Sequence, residues 1–226
     1  GILIARPAGG TSCRLAISAK GGTNAENHNH NDVGSYAVAL GSETMVGDQG
    51  GPNSYPGDYF NGDAPQKYKI KGSFGHPVPV VDGRTQSSGG KAKGVVLQKE
   101  FTNEKDVFSI DYTSAYSTPN LDKLIRTFVY DRQGKGNFTV GDEFTAKTPI
   151  RFETAITTRA DWKVLDDTHL LLATDSEQMI VAIDASGKVA FTSETIEVNS
   201  PAYTRIGIAL KNQSKEGYIR LKMYTK

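Results

Sequence analysis

The chain has 226 residues, 26 Lys and Arg against 25 Asp and Glu for a net charge of +1, and a single cysteine, Cys13. The balanced charge excludes a protein built to grip a nucleic-acid backbone. One cysteine excludes an intrachain disulfide scaffold or thiolate cluster, and no apolar run approaches the roughly 20 residues of a membrane helix.

The sequence opens on Gly1-Ile2-Leu3, without an initiator Met or a signal-peptide pattern, and reads as a mature protein or a fragment. Short β-branched or alternating runs then follow: 14–19, 35–40, 78–81, 94–101, 107–112, 124–130 and 150–158. The second half adds 170–173, 179–183, 189–192, 203–209 and 218–223. Turn residues divide them at Asp82-Gly83, Gly89-Gly90, 131–136, 184–187 and 211–214. Many short strands at regular spacing predict an all-β fold, an antiparallel two-sheet β-sandwich. A weak boundary near 145–150 has β patterning on both sides, so 1–226 is read as one domain. Two stretches break the rhythm: the turn-rich 48–70, long enough to be functional, and 114–123 around Pro119-Asn120.

Three of the four histidines lie near the first of these breaks. In Asn27-His28-Asn29-His30-Asn31-Asp32, an extended backbone places His28, His30 and Asp32 on one face. A hairpin over 35–48 turns at Gly41-Ser42-Glu43 and returns Asp48 towards His30, and His76 opens the next strand pair. Two histidines and a carboxylate at strand ends suit Zn²⁺. Taken singly, His28 and His30 read equally as solvated loop residues, because a lone His-x-His has no single metal meaning.

The ordered block His28-Asn29-His30-Asn31-Asp32-Val33-Gly34-Ser35-Tyr36, then Val46-Gly47-Asp48-Gln49-Gly50 and Tyr55, then His76-Pro77-Val78-Pro79-Val80-Val81-Asp82-Gly83-Arg84-Thr85-Gln86, resembles the heparinase II/III family of polysaccharide lyases. The likeness covers about 24–86, continues weakly through Asp111-Tyr112, Ala115-Tyr116 and Arg126, and points to the C-terminal β-sandwich region of those enzymes. It implies that His30, Asp48 and His76 hold a largely structural zinc, that His28 faces substrate across the domain boundary, and that Tyr55 borders the cleft. Pro77 departs from the family's usual Asn. The resemblance further implies β-elimination on a uronic-acid polysaccharide. It implies an N-terminal helical toroid as partner, which this chain is too short to contain, and a periplasmic or secreted bacterial protein. On that reading the isolated chain is inactive.

Two other readings stand beside it. A noncatalytic carbohydrate-binding module would stack sugars on Tyr55, Tyr59, Phe60 or Trp162, although Trp162 fits a core position. A complete zinc hydrolase would need Glu26 or Glu43 as base. His169 after Asp166-Asp167-Thr168 reads as a surface turn residue. Arg84, Lys91, Lys93 and Lys99 read as a solvated strand face, and Gly134-Lys135-Gly136 as a turn rather than a phosphate loop.

Overall fold

The computed structural model describes residues 1–7, 9–48, 51–197 and 201–226. In chain order, the strands are β1 (Ile2–Ala5), β2 (Leu15–Lys20), β3 (Gly22–Asn24), β4 (Tyr36–Leu40) and β5 (Glu43–Val46). After a short helix α1 (Ala64–Lys67) come β6 (Val80–Val81), β7 (Gly89–Phe101), β8 (Lys105–Asp111), β9 (Leu121–Asp131), β10 (Asn137–Ile150) and β11 (Phe152–Thr158). The remainder is β12 (Asp161–Asp166), β13 (His169–Ala173), β14 (Gln178–Ala185), β15 (Val189–Ile196), β16 (Tyr203–Leu210) and β17 (Ser214–Thr225).

Among the described residues the pairing is antiparallel throughout. A nine-stranded sheet runs β12-β13-β14-β17-β10-β9-β8-β7-β3 and presents one buried face. Register places Phe128 opposite Val140, Phe138 opposite Tyr130 and Met223, and Leu221 opposite Val140 and Ile183. The facing layer is divided into two four-stranded sheets, β1-β2-β4-β5 and β15-β16-β11-β6. Tyr36 of the first packs 6.0 Å from the Phe138 ring, and Phe152 of the second stacks 4.6 Å from Phe144. The sandwich expectation therefore holds, with its second layer split. The residues near 145–150 are where the chain crosses between layers: β10 breaks register between Thr145 and Ile150, and β11 joins the opposite sheet. No helix among the described residues is long and apolar enough to cross a membrane.

Strands β1, β3, β10 and β12 fall outside the sequence reading. β10 was hidden by Gly141-Asp142-Glu143, which looks like a turn, yet Asp142 is a buried member of a regular alternation. The expected strand over 27–32 is a turn instead. His28 has φ +58°, the amide of Asn29 donates to Glu26, and Asn31 and Asp32 are both buried, so no alternation of faces exists there. Gln49 and Gly50 of the motif block lie outside the described residues. The long segment after them is anchored to the outer side of β15–β16, where Tyr59 and Ile70 pack with Ile196 and Tyr203 in a second small core.

Candidate functional site

Three chain segments converge at one point. The turn 25–35 carries His28, His30 and Asp32; the end of the β4–β5 hairpin carries Asp48; and a single 3₁₀ turn, Ser73–Gly75, ends at His76. Gly34 has φ +88°, a conformation that favours glycine, and its carbonyl accepts from the Arg126 guanidinium at 2.7 Å. Gly75 is required by close approach. A Cβ there would strike the Lys69 carbonyl oxygen and lie 2.9 Å from Ile70 Cα, and backbone cannot swing aside as a side-chain tip can. Gly75→Ala is expected to lower stability by about 1–3 kcal/mol, read as a lower denaturant midpoint.

The β4–β5 hairpin brings Asp48 to His76, whose Nδ1 lies 2.9 Å from Asp48 Oδ1. The other ring nitrogen, Nε2, lies 3.2 Å from His30 Nδ1, and His30 Nε2 is 3.2 Å from the Tyr59 hydroxyl. His76 is fully buried. Burial alone would lower its pKa, but the Asp48 carboxylate outweighs this and raises it. Burial, reinforced by the His76 charge, pushes His30 down to about 4. Asp48 is held well below the usual carboxylate range, burial being overcome by His76. His76 thus faces the Asp48 carboxylate through Nδ1 and shares one proton with His30 across the gap between Nε2 and Nδ1.

That arrangement fits a metal. Zinc–imidazole bonds of about 2.0–2.1 Å in a tetrahedral site set two ligand nitrogens about 3.3 Å apart. The 3.2 Å separation of His30 Nδ1 and His76 Nε2 matches it. His30 and His76 would hold a cation there in place of the shared proton, and Asp48, bonded to His76 Nδ1 on the far side of the ring, would orient that imidazole. The group whose ligand atoms lie within 4.8 Å of one another is Asp32, Asp48 and His76, so the structure brings Asp32 into the expected set and leaves His30 outside that grouping. Asp32 is already neutralised by the Lys20 ammonium at 2.5 Å, and burial raises its pKa.

His28 stands apart from this cluster and is exposed. Its imidazole meets the Phe60 ring edge-on, with centroids 4.9 Å apart. Phe60 in turn contacts Tyr55 at 5.0 Å, so Tyr55 reaches His28 through Phe60. Tyr59, a sugar-stacking candidate on sequence, is 1% exposed. It cannot present a face to a ligand, and its hydroxyl serves His30 instead. Trp162 is half-buried against the core, as the bland reading held. His169 pairs with Asp166 in the turn between β12 and β13. Arg84, Lys91, Lys93 and Lys99 are exposed. The Glu26 carboxylate accepts the Thr23 amide, and that of Glu43 accepts the Ser176 hydroxyl, so neither is poised as a base.

Sequence reasoning passed over Lys20, Lys71 and the supports beneath the turn. Gln86 is one such support: its side chain donates to the Val33 carbonyl at 2.7 Å and accepts from the Val33 amide and Asn24. Only its place at the end of the motif block hinted at this.

The fold and this cluster define a class of β-sandwich module. No family model matches the sequence, and no curated protein matches it either. Solved structures do. The whole chain superposes on heparinase III with TM-score 0.74 at 18% identity, covering 35% of that chain. It also superposes on a heparinase III that is the BT4657 gene product, with TM-score 0.75 at 14% identity, covering 34% of that chain. For heparan sulfate lyase HepC from Pedobacter heparinus the match is TM-score 0.71 at 14% identity, over 94% of this chain and 33% of that one. The chain thus has the fold of one part of these enzymes and spans about a third of their length.

Proposed function

We propose that this chain is the β-sandwich domain of a polysaccharide lyase acting by β-elimination on a uronic-acid-containing polysaccharide, where it forms one wall of the cleft. The observation that carries this reading is the exposed His28, held at φ +58° two residues before His30 of the His30–His76–Asp48 cluster. Strained non-glycine backbone is retained where a side chain must be aimed.

β-Elimination removes the proton α to the uronate carboxylate and expels the 4-linked oxygen. It needs a base, an acid and a neutraliser of the developing negative charge. His28 is placed to offer a proton or positive charge to a carboxylate on the open face. Tyr55 borders the same face. His30, Asp48 and His76 would hold a zinc ion, which when bound supplies fixed positive charge and ties the three segments together. What those residues do themselves is set the turn that aims His28.

The principal base belongs to the rest of a longer protein, an N-terminal helical domain, and we place that protein in the periplasm or outside the cell. A second reading, a noncatalytic carbohydrate-binding module, is favoured by the exposed Tyr55 and Phe60 rings.

The test is the ultraviolet absorbance of unsaturated product from heparan sulfate and alginate. The chain alone is expected to give none. The longer protein is expected to give a steady rise that His28→Ala reduces by at least about 100-fold. Robust turnover by the isolated chain would overturn the shared-cleft reading; a longer protein that binds glycan without cleaving it would establish the binding module.

A further inference from the structure

We propose that Phe60, flanked by Tyr55, is a stacking platform for the apolar face of a pyranose ring, one sugar unit away from the sugar that lies against His28. This rests on the reading that a glycan crosses this face, and it adds a binding residue that the motif block does not contain.

Tyr55 and Phe60 are 57% and 51% exposed although their rings touch. Large aromatic surface left open to water is a mark of a binding surface. The pair is not a loose loop tip. Phe60 packs 5.4 Å from Tyr59, which is buried, and Tyr59 packs 5.4 Å from Tyr68. The Lys71 ammonium lies over both rings, 4.8 Å from the Tyr59 centroid and 5.1 Å from that of Phe60, and donates to the Tyr59 carbonyl at 2.5 Å, so a sugar would take the other face of Phe60. A platform held this way loses little side-chain freedom when a ligand settles on it.

The chemistry of a pyranose suits it. One face of the ring is a patch of C–H bonds with slight positive charge, complementary to the negative face of an aromatic ring. Hydroxyl and carboxylate groups project from the rim, so stacking leaves them free for hydrogen bonds. Tyr55 is inclined 46° to Phe60. Phe60 takes the sugar face, and the exposed Tyr55 ring flanks it. His28 stands edge-on to Phe60 with centroids 4.9 Å apart, comparable to the length of one sugar unit along a glycan chain. On this placement the next sugar of the chain lies against His28.

Stacking ignores charge, whereas His28 reads the carboxylate, and this separates the two roles in one experiment. The chain is titrated calorimetrically with a glucuronate-containing tetrasaccharide and with the same tetrasaccharide after reduction of its carboxylates to hydroxymethyl groups. Phe60→Ala is expected to weaken both by about tenfold, Phe60→Trp to restore both, and His28→Ala to weaken only the charged ligand. Phe60 is half-exposed, so circular dichroism and thermal unfolding of the variants are expected to match the parent. Phe60→Ala binding like the parent while His28→Ala loses the charged ligand would overturn the platform and leave the lyase-domain reading standing. No binding of either tetrasaccharide by the parent chain would overturn the platform, while the lyase-domain reading stands or falls by the absorbance assay on the longer protein.

Discussion

Replacing Arg126 with Met is expected to unfold much of the protein's stability margin. Arg126 and Asp142 are a fully buried ion pair on neighbouring strands β9 and β10, joined by two bonds, Nε to Oδ1 at 2.7 Å and Nη2 to Oδ2 at 2.6 Å. Tyr112 and Thr154 donate to the same carboxylate at 2.6 and 2.7 Å. The guanidinium also donates to the carbonyls of Gly34 and Pro77, at 2.7 and 2.8 Å. Removing the cation leaves Asp142 charged in the core and two carbonyls without this donor. Breaking a buried pair from one side costs about 3–5 kcal/mol, against a total stability of about 5–15 kcal/mol. In a domain of this size each kcal/mol is worth about 2–4 °C in Tm, so a fall of about 6–20 °C is expected in a thermal melt.

The effect has a second reading at the site. Gly34 follows the His28–Asp32 turn and Pro77 follows His76, so one buried side chain holds both halves of the cluster. Arg126→Met is expected to weaken metal binding in protein that remains folded, although Arg126 touches no candidate ligand. A melt within 2 °C of the parent, with unchanged zinc affinity, would show that the network neither stabilises the sandwich nor sets the site.

This pair also shows what the sequence conceals. The site was legible because its chemistry sits in side-chain types at short spacing: His28, His30 and Asp32 within five residues, and Asp48 one hairpin later. Most strands were legible because apolar alternation reports burial. Alternation fails where the buried position is charged. Asp142 in β10 is such a position, and the 14-residue strand over Asn137–Ile150 is accordingly absent from the alternation pattern. Tyr59 misled in the opposite sense, since an aromatic in a Gly-rich loop looks like a surface ligand contact until Ile70, Ile196 and Tyr203 are seen to bury it. The turn at His28 was beyond pattern reading altogether. His-Asn-His-Asn-Asp has the period of a strand, and only the tertiary contacts of Asn31 with Lys71, Gln86 and Ser88 select the turn.

Zinc is expected to raise the melting temperature by about 10 °C when supplied at about a thousand times its dissociation constant. Saturation at that level stabilises the folded state by about 4 kcal/mol, and the Tm scale is the one used above. His30→Ala and His76→Ala are each expected to abolish the zinc-dependent increment, whatever they do to the baseline melt. Asp48→Asn is expected to cost at least about 10–100-fold in affinity as an orienting partner of His76, and more if it is a direct ligand. Asp32→Asn is expected to leave most of the increment, because Lys20 already claims that carboxylate. The reverse pattern, with Asp32→Asn losing the increment and His30→Ala keeping it, would move the metal to the Asp32–Asp48–His76 side of the cluster.

The pH dependence follows from the same proton. His76 has a raised pKa and shares its Nε2 proton with His30. A metal at that position must displace it, so zinc affinity is expected to rise as pH increases through the titration of His76 and to fall below it. Calorimetric titrations in buffers of different ionisation enthalpy are expected to show proton release on binding. A zinc affinity independent of pH, with no proton released, would mean that the metal does not occupy the gap between the two imidazoles.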